Sequence, residues 1–232
     1  MDLKKQAANY ALKYVKDGML LGLGSGSTSS LFVQLLGERL QEGALKDIRG
    51  VPTSQDTARL AHQVGISLIH LADCSPHGGA PALDLAVDGA DEVDPRLNLI
   101  KGLGRAALRE KIVEMHARHF LVIGDASKAV PQLGRGPLPV EIVTFEYQVH
   151  VAWLNSLGCR AELWHEADGS PIVTDNGNYL VRCWFENGIP DAYALARTLA
   201  DRPGIVEHGL FLDMAHEVIL AGSDGMQIME RN

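Results

Sequence analysis

The stretch "MLLGLGSGSTSSLFVQLLGERLQEG", residues 19–43, decides the fold. It opens on a short apolar run, crosses glycines at alternate positions, and continues as an amphipathic segment with a Ser/Thr start and a Gly stop. That order reads as strand, tight turn and helix. Gly22, Gly24 and Gly26 let the backbone turn and approach a ligand without a Cβ clash. The unpaired N–H groups of the following helix, with its dipole, favour an anion. Ser25, Ser27 and Thr28 add hydroxyl donors. The stretch is not a P-loop, because no Gly-Lys-Ser/Thr follows, and it lacks the dinucleotide spacing, because Ser27 stands where the last glycine should fall. Taken alone, it reads equally as a phosphate site or as a tight turn with an ordinary N-cap.

Working outward, residues 3–16 have Leu3, Ala7, Tyr10, Ala11 and Tyr14 at helical spacing. Downstream, "IRGVPTS" reads as a strand, "SQDTARLAHQVG" as a helix capped by Ser54, and "SLIHLA" and "LDLAVDGA" as strands. "RAALREKIVEMHARH" reads as a helix and "FLVIGD" as a strand. Short apolar strands alternating with helices predict a mostly parallel α/β sheet covered on both faces. After Lys128 the Pro- and Gly-rich "AVPQLGRGPLP" marks a boundary. "VEIVTF" (strand), "YQVHVAWLNSLG" (helix), "PIVTDNGNYLVRCWF" (a hairpin with Asn176-Gly177 as a type I′ turn) and "DAYALARTLADRPG" (helix) follow. We therefore expect a parallel-sheet α/β domain over 1–131 plus 205–232 and a smaller α+β domain over 132–204. The C-terminal strands would rejoin the first domain or bridge the two.

The chain of 232 residues carries a net charge of -8, which argues against nonspecific nucleic-acid binding but permits a locally positive pocket for an anionic substrate. No apolar run reaches the roughly 18 residues a membrane span requires, and the start "MDLKKQAANYALKYV" has no apolar signal region. Cys74, Cys159 and Cys183 are odd in number and widely spaced, so the expectation is a reducing cytoplasm rather than a disulfide framework. His70, Asp73, Cys74 and His77 cluster in "HLADCSPHGG", but no second ligand pair with zinc spacing accompanies them, and the segment reads as a loop.

A second decisive stretch is "VDGADEVDPRLNLIKGLGRAALREK", residues 87–111. Asp88 closes an apolar strand, where open α/β sheets bind ligands. Gly89 and Ala90 allow a tight turn that aims Asp91 at the same point, whereas Glu92 and Asp94 are expected to face water. Lys101 precedes Gly102, Leu103 and Gly104, where an ammonium and backbone N–H groups can meet one ligand. Glu110 is expected about two turns into the next helix. The helix alone reads it as a surface glutamate in an ion pair; the alternative is that it faces inward while Arg109 and Lys111 face out. Lys128, in "GDASK", follows a strand end and can reach the ligand edge, although a solvated lysine is the commoner reading.

In order and spacing, "GLGSGST", "VDGADEVD", "IKGLGRAALREK", "VIGDASK", "PLPVEI", "VTDNGN" and "GIVEHGLF" resemble the A-type ribose-5-phosphate isomerase family nearly end to end. The resemblance implies interconversion of ribose 5-phosphate and ribulose 5-phosphate in the pentose phosphate pathway, without a metal or organic cofactor. It implies Glu110 as general base, Asp88 and Asp91 as sugar-contacting carboxylates, and Lys101 as the oxygen-stabilising ammonium. Substrate-binding positions would be Ser25, Gly26, Ser27, Thr28, Gly89, Ala90, Gly102, Leu103, Gly104 and Lys128, with Lys4 near the phosphate. The resemblance also implies the family's fold, a Rossmann-like catalytic domain with a smaller α+β domain, and a homodimer or homotetramer that takes a small-molecule sugar phosphate and neither nucleic acid nor membrane. The chain departs from the family where Leu103 and Arg105 interrupt the usual small residues after the lysine, and where "DCSPHGGAPAL" is longer than usual. The alternatives are a non-catalytic sugar-phosphate sensor, which would not need Lys101 and Glu110, and an amino-sugar phosphate deaminase, which would want a histidine that this motif cluster lacks.

Overall fold

The computed structural model describes residues 2–74 and 82–231. Its elements begin with α1 (Leu3–Ala11), β1 (Leu20–Leu23), α2 (Ser27–Gln41), β2 (Arg49–Pro52) and α3 (Gln55–Gln63). Next come β3 (Ser67–Leu68), α4 (Leu71–Cys74), β4 (Leu85–Asp88), β5 (Glu92–Val93), β6 (Leu99–Ile100) and α5 (Ala107–Glu114). Then follow β7 (Phe120–Asp125), β8 (Leu138–Ile142), α6 (Tyr147–Asn155), β9 (Arg160–Leu163), β10 (Tyr179–Trp184) and α7 (Ala192–Ala200). The chain closes with β11 (Ile205–His208), β12 (Leu210–Phe211), β13 (Glu217–Gly222) and β14 (Gly225–Glu230).

The chain divides into two compact units. The first comprises Met1–Ala90, Arg109–Lys128 and Met214–Asn232; the second comprises Asp91–Leu108 and Ala129–Asp213. The first is built on a seven-stranded sheet in the order β14-β13-β7-β4-β1-β2-β3. From β3 to β13 neighbouring strands run parallel, and β14 pairs antiparallel on the edge. Every residue of β4 is buried, as is expected of a central parallel strand covered on both faces. On α2, Thr28, Ser29, Phe32, Val33, Leu36 and Gly37 form a buried stripe at helical spacing. Phe32 and Leu36 join Leu21, Leu23, Leu121 and Ile123 in one core.

The second unit holds a four-stranded antiparallel sheet, β11-β8-β10-β9, and a three-stranded one, β12-β6-β5. Leu154 of α6 and Leu199 of α7 pack with Val140, Ile142, Val181 and Cys183. Residues 91–108, 129–131 and 205–213 fall in this unit, although the sequence division assigned them to the larger domain. Strand pairing is the reason: β12 pairs with β6 and β11 with β8, whereas β13 pairs with β7 of the first unit. No local pattern reveals those pairings.

Local readings hold with particular exceptions. The helix expected over 3–16 is α1 followed by a 3₁₀ turn at Leu12–Tyr14. "SLIHLA" is a strand only at Ser67–Leu68, because β3 is an edge strand paired briefly with β2, and the chain then coils into α4. The Asn176-Gly177 turn is not type I′. Gly177 has a positive φ of 81° and Asn176 does not, and the Gly177 N–H donates to the Thr174 carbonyl at 3.0 Å. This is a type I turn closed by a left-handed glycine, the usual three-residue hairpin. Most of the 73–83 loop, residues 75–81, lies outside the described residues, as does His77. No helix among the described residues is long and apolar enough to cross a membrane.

Helix α7 is capped by Asp191, whose carboxylate accepts from the Ala194 N–H at 2.9 Å. Asp191→Ala should lower the unfolding free energy by about 1 kcal/mol, read as a shift in urea midpoint at constant slope. An unchanged midpoint would show that this cap contributes nothing.

Candidate active site

The first unit gathers candidates at the carboxyl ends of its parallel strands. β1 and β4 are neighbours, but β1 leads on to β2 on one side and β4 to β7 on the other. Ligands bind at such a reversal of strand order. The loop after β1 and Asp88 at the end of β4 both lie there. Asp88 is fully buried. Its Oδ1 accepts from the Ser25 N–H at 3.0 Å, the Ser29 hydroxyl at 2.7 Å and the Gly89 N–H at 2.7 Å. A Cβ on Gly24 would fall inside the van der Waals radius of that carboxylate. Glycine at 24 is thus required by the close approach of Asp88.

Helix α2 starts at an N-cap glycine, Gly26, with φ 90°, a left-handed value, and no side chain caps it. The ordinary-cap reading therefore fails, and the first N–H groups of the helix have no side-chain acceptor from the cap residue. Lys4 Nζ lies 2.9 Å from Ser27 Oγ. Lys128 ends a 3₁₀ turn after β7. Burial pushes the Asp125 carboxyl up, but two hydrogen bonds from Ser127, aided by the positive charges of Lys128 and Lys4, hold it below its ordinary value. Lys4, Ser27, Asp125 and Lys128 thus form one neighbourhood, positive on balance, within a chain of net charge -8.

Glu110 lies in the first turn of α5, not two turns in. The helix begins late because Arg105, just upstream, has φ 68°, a left-handed value that cannot continue an α-helix. Glu110 is 3 % exposed, so the surface reading fails. It shares the buried face of α5 with Val113 and Glu114. Arg109 and Lys111 are only partly buried. Sequence reading missed Glu114, because an acidic residue in an amphipathic helix defaults to the wet face.

The second unit places Asp91, Lys101 and the glycine turn together. Asp91 Oδ2 accepts from the Leu103 N–H at 2.9 Å. Lys101 is 2 % exposed; its backbone N–H donates to the Gly209 carbonyl at 2.9 Å, and its Nζ lies 5.4 Å from the centre of the Phe211 ring, within cation–π range. Gly102 has φ 104°. The side chains that break the family run point elsewhere: Leu103 is exposed, and the Arg105 guanidinium pairs with both oxygens of Glu166 and lies 5.4 Å from the Trp164 ring. Glu92 corrects its expectation. It is buried and accepts from the N–H groups of Gly134 (2.7 Å), Arg135 (3.3 Å) and Gly136, anchoring the Pro/Gly-rich boundary. Asp94 turns back onto the N–H groups of Arg96 and Asn98, both at 2.8 Å. Among the described residues, no group of three or more His, Cys, Asp or Glu is placed to hold a metal ion.

Sequence reading also missed a hydroxyl cluster. Ser25 Oγ lies 2.7 Å from Thr53 Oγ1, 2.8 Å from Ser54 Oγ and 3.1 Å from Thr57 Oγ1. The available signal was the turn between β2 and α3, since β2 neighbours the strand that carries the glycine loop.

Comparison with known proteins makes this chain an isomerase. The family model of ribose 5-phosphate isomerase A (phosphoriboisomerase A) matches residues 49–225. The chain is 48% identical over 228 residues to the ribose-5-phosphate isomerase A of Roseiflexus castenholzii, covering 98% of this chain and 94% of that one. It is 45% identical over 236 residues to the probable chloroplastic ribose-5-phosphate isomerase 3 of Arabidopsis thaliana, covering 99% and 83% respectively. A solved structure of D-ribose-5-phosphate isomerase in complex with phospho-erythronic acid superposes with a TM-score of 0.92 over the whole of both chains, at 40% identity. The chain belongs to the ribose 5-phosphate isomerase A family.

Gly24→Ala should destabilise the fold by roughly 1–3 kcal/mol, because the new methyl displaces Asp88 from its three donors. In a double-mutant cycle followed by thermal melting, Asp88→Ala should cost less in the Gly24→Ala background than in the native one. Strict additivity would show that the two side chains do not compete for this space.

Proposed function

We propose that the protein interconverts D-ribose 5-phosphate and D-ribulose 5-phosphate through an enediolate, with Glu110 as general base. The observation that carries this reading is the burial of Glu110 on the inward face of α5, although cationic residues flank it in sequence. A carboxylate held in place on a buried face can take a carbon-bound proton and deliver a proton to the neighbouring carbon. In this scheme Glu110 removes the C2 proton of the aldose and delivers it to C1. The electron pair left behind becomes the enediolate, whose negative charge rests on O1, and the O2 hydroxyl proton passes to O1 as the C2 carbonyl forms and C1 is protonated.

Lys101, with the N–H groups of Gly102 and Gly104, stabilises that oxygen; preorganised donors of this kind contribute about 3 kcal/mol each. The Leu103 N–H serves Asp91 instead, which holds the turn in shape. Asp91 relays a proton between the ring oxygen and a hydroxyl as the sugar opens, and Asp88, beside Gly89 and Ala90, orders the loop next to it. The substrate phosphate sits on the Ser25–Thr28 loop with Lys4 and Lys128. Its binding energy, remote from the reacting carbons, orients them. A relative's complex with phospho-erythronic acid, a phosphorylated sugar acid, supports this substrate class. The reaction belongs to the non-oxidative branch of the pentose phosphate pathway. We place the protein in the cytoplasm, consistent with three unbridged cysteines, and as a homodimer or homotetramer, consistent with the exposed Phe145 and Val149.

Ribose 5-phosphate should be turned over in a coupled assay, and a chelator should leave the rate unchanged. Glu110→Gln should keep the fold and the affinity for phospho-erythronic acid while turnover falls on the order of 100- to 10,000-fold. Exchange of the C2 proton with deuterated solvent should fall in parallel, and undiminished exchange would remove Glu110 from the role of base.

A further inference from the structure

The segment Gly24-Ser25-Gly26 has one side chain by which it can be held, that of Ser25. Its flanking glycines give the backbone freedom, so any rigidity must come from outside the loop. The Asp88 carboxylate grips the Ser25 N–H from one side. From the other, the Ser25 hydroxyl meets Thr53, Ser54 and Thr57 at 2.7 to 3.1 Å. Its one proton goes to Ser54 Oγ, and its lone pairs are left to accept from the Thr53 hydroxyl 2.7 Å away. The sequence assigns Ser25 to substrate, yet its hydroxyl is already engaged within the protein.

The cluster is tied to the same loop at further points. The Thr57 hydroxyl donates to the Gly24 carbonyl at 3.0 Å, and the one proton of the Thr53 hydroxyl lies within reach of both Ser25 Oγ and, at 3.2 Å, the Leu23 carbonyl. Ser54 caps α3 through the Thr57 N–H at 3.1 Å and donates its own proton to the Thr57 hydroxyl at 3.0 Å. Thr53 and Thr57 are 1 % and 4 % exposed, so water does not replace these bonds cheaply. Thr53 and Thr57 thus brace the carbonyls that enter the loop and also the one side chain within it, Thr53 directly and Thr57 by accepting from Ser54, which accepts from Ser25.

We propose that Thr53 and Thr57 are positioning residues for the substrate phosphate: they hold Ser25 so that Ser27, Thr28 and the uncapped N–H groups of α2 face the anion. The inference rests on the isomerase reading for its substrate and on the hydroxyl geometry for its residues. Such residues act on binding. Their loss should raise KM and the dissociation constant of a phosphate ligand, and move kcat far less.

The test compares Thr57→Val and Thr53→Val, which keep shape and lose the hydroxyl, with Thr57→Ser, which keeps the hydroxyl. Each is assayed for turnover of ribose 5-phosphate and, by calorimetry, for binding of inorganic phosphate and phospho-erythronic acid. The valine variants should weaken phosphate binding and raise KM about tenfold, and Thr57→Ser should stay within about twofold of the native protein. Unchanged phosphate affinity in both valine variants overturns the proposal, as does a Thr57→Ser variant as impaired as Thr57→Val, because the methyl and not the hydroxyl would then matter. If Thr57→Val does not fold, judged by circular dichroism, Thr53→Val carries the comparison. Native protein that fails to turn over ribose 5-phosphate while the valine variants still lose phosphate affinity would reject the isomerase reading and leave this inference standing.

Discussion

One fully buried carboxylate organises the ligand edge of the parallel sheet. Asp88 ends a strand whose every residue is buried and accepts two hydrogen bonds from the loop and helix that follow the neighbouring strand and a third from the Gly89 N–H. An anionic acceptor holds N–H and O–H donors more firmly than a neutral one and leaves little room for other geometries. Gly24 exists to let that carboxylate in. Because the loop is otherwise built from glycine, its shape is a property of Asp88 and of the hydroxyls opposite rather than of its own backbone.

The same logic explains how an acidic protein builds the locally positive neighbourhood at which we propose the phosphate binds. Net charge governs long-range behaviour, but a ligand meets only the charges within about 10 Å at moderate salt. Lys4 and Lys128 share the neighbourhood of Ser27 and Asp125, and the start of α2 adds its partial positive charge. Asp125 moderates the cluster, and the Ser127 hydrogen bonds keep it ionised.

The second unit uses a buried carboxylate in the same manner. Glu92 gathers consecutive N–H groups from the Pro- and Gly-rich stretch before β8, so a segment that composition marks as a linker is pinned. Arg105 shows a different solution. A non-glycine residue in the left-handed region costs about 1 kcal/mol or more. Here its side chain is taken up by Glu166 and Trp164, which offsets the cost and keeps a bulky cation in a fixed place beside the Lys101 turn.

The sequence by itself determined the order of strands and helices, the parallel class of the main sheet, the glycine loop at its edge and the family, because these depend on local periodicity and on motifs a few residues long. It also named Glu110 and Lys101 as a pair, though only through resemblance. Tertiary structure alone decided which acids are buried: Glu92, Glu110 and Glu114 read as surface residues because charge usually seeks water, and only apposed backbone or helix-on-sheet packing makes their burial favourable. It decided the division into units, since β6–β12 and β7–β13 join residues about a hundred positions apart. It also decided the hydroxyl cluster, because Ser25 and Thr57 are separated by a helix and a strand, and a hydrogen bond between them forms only once β1 and β2 lie side by side.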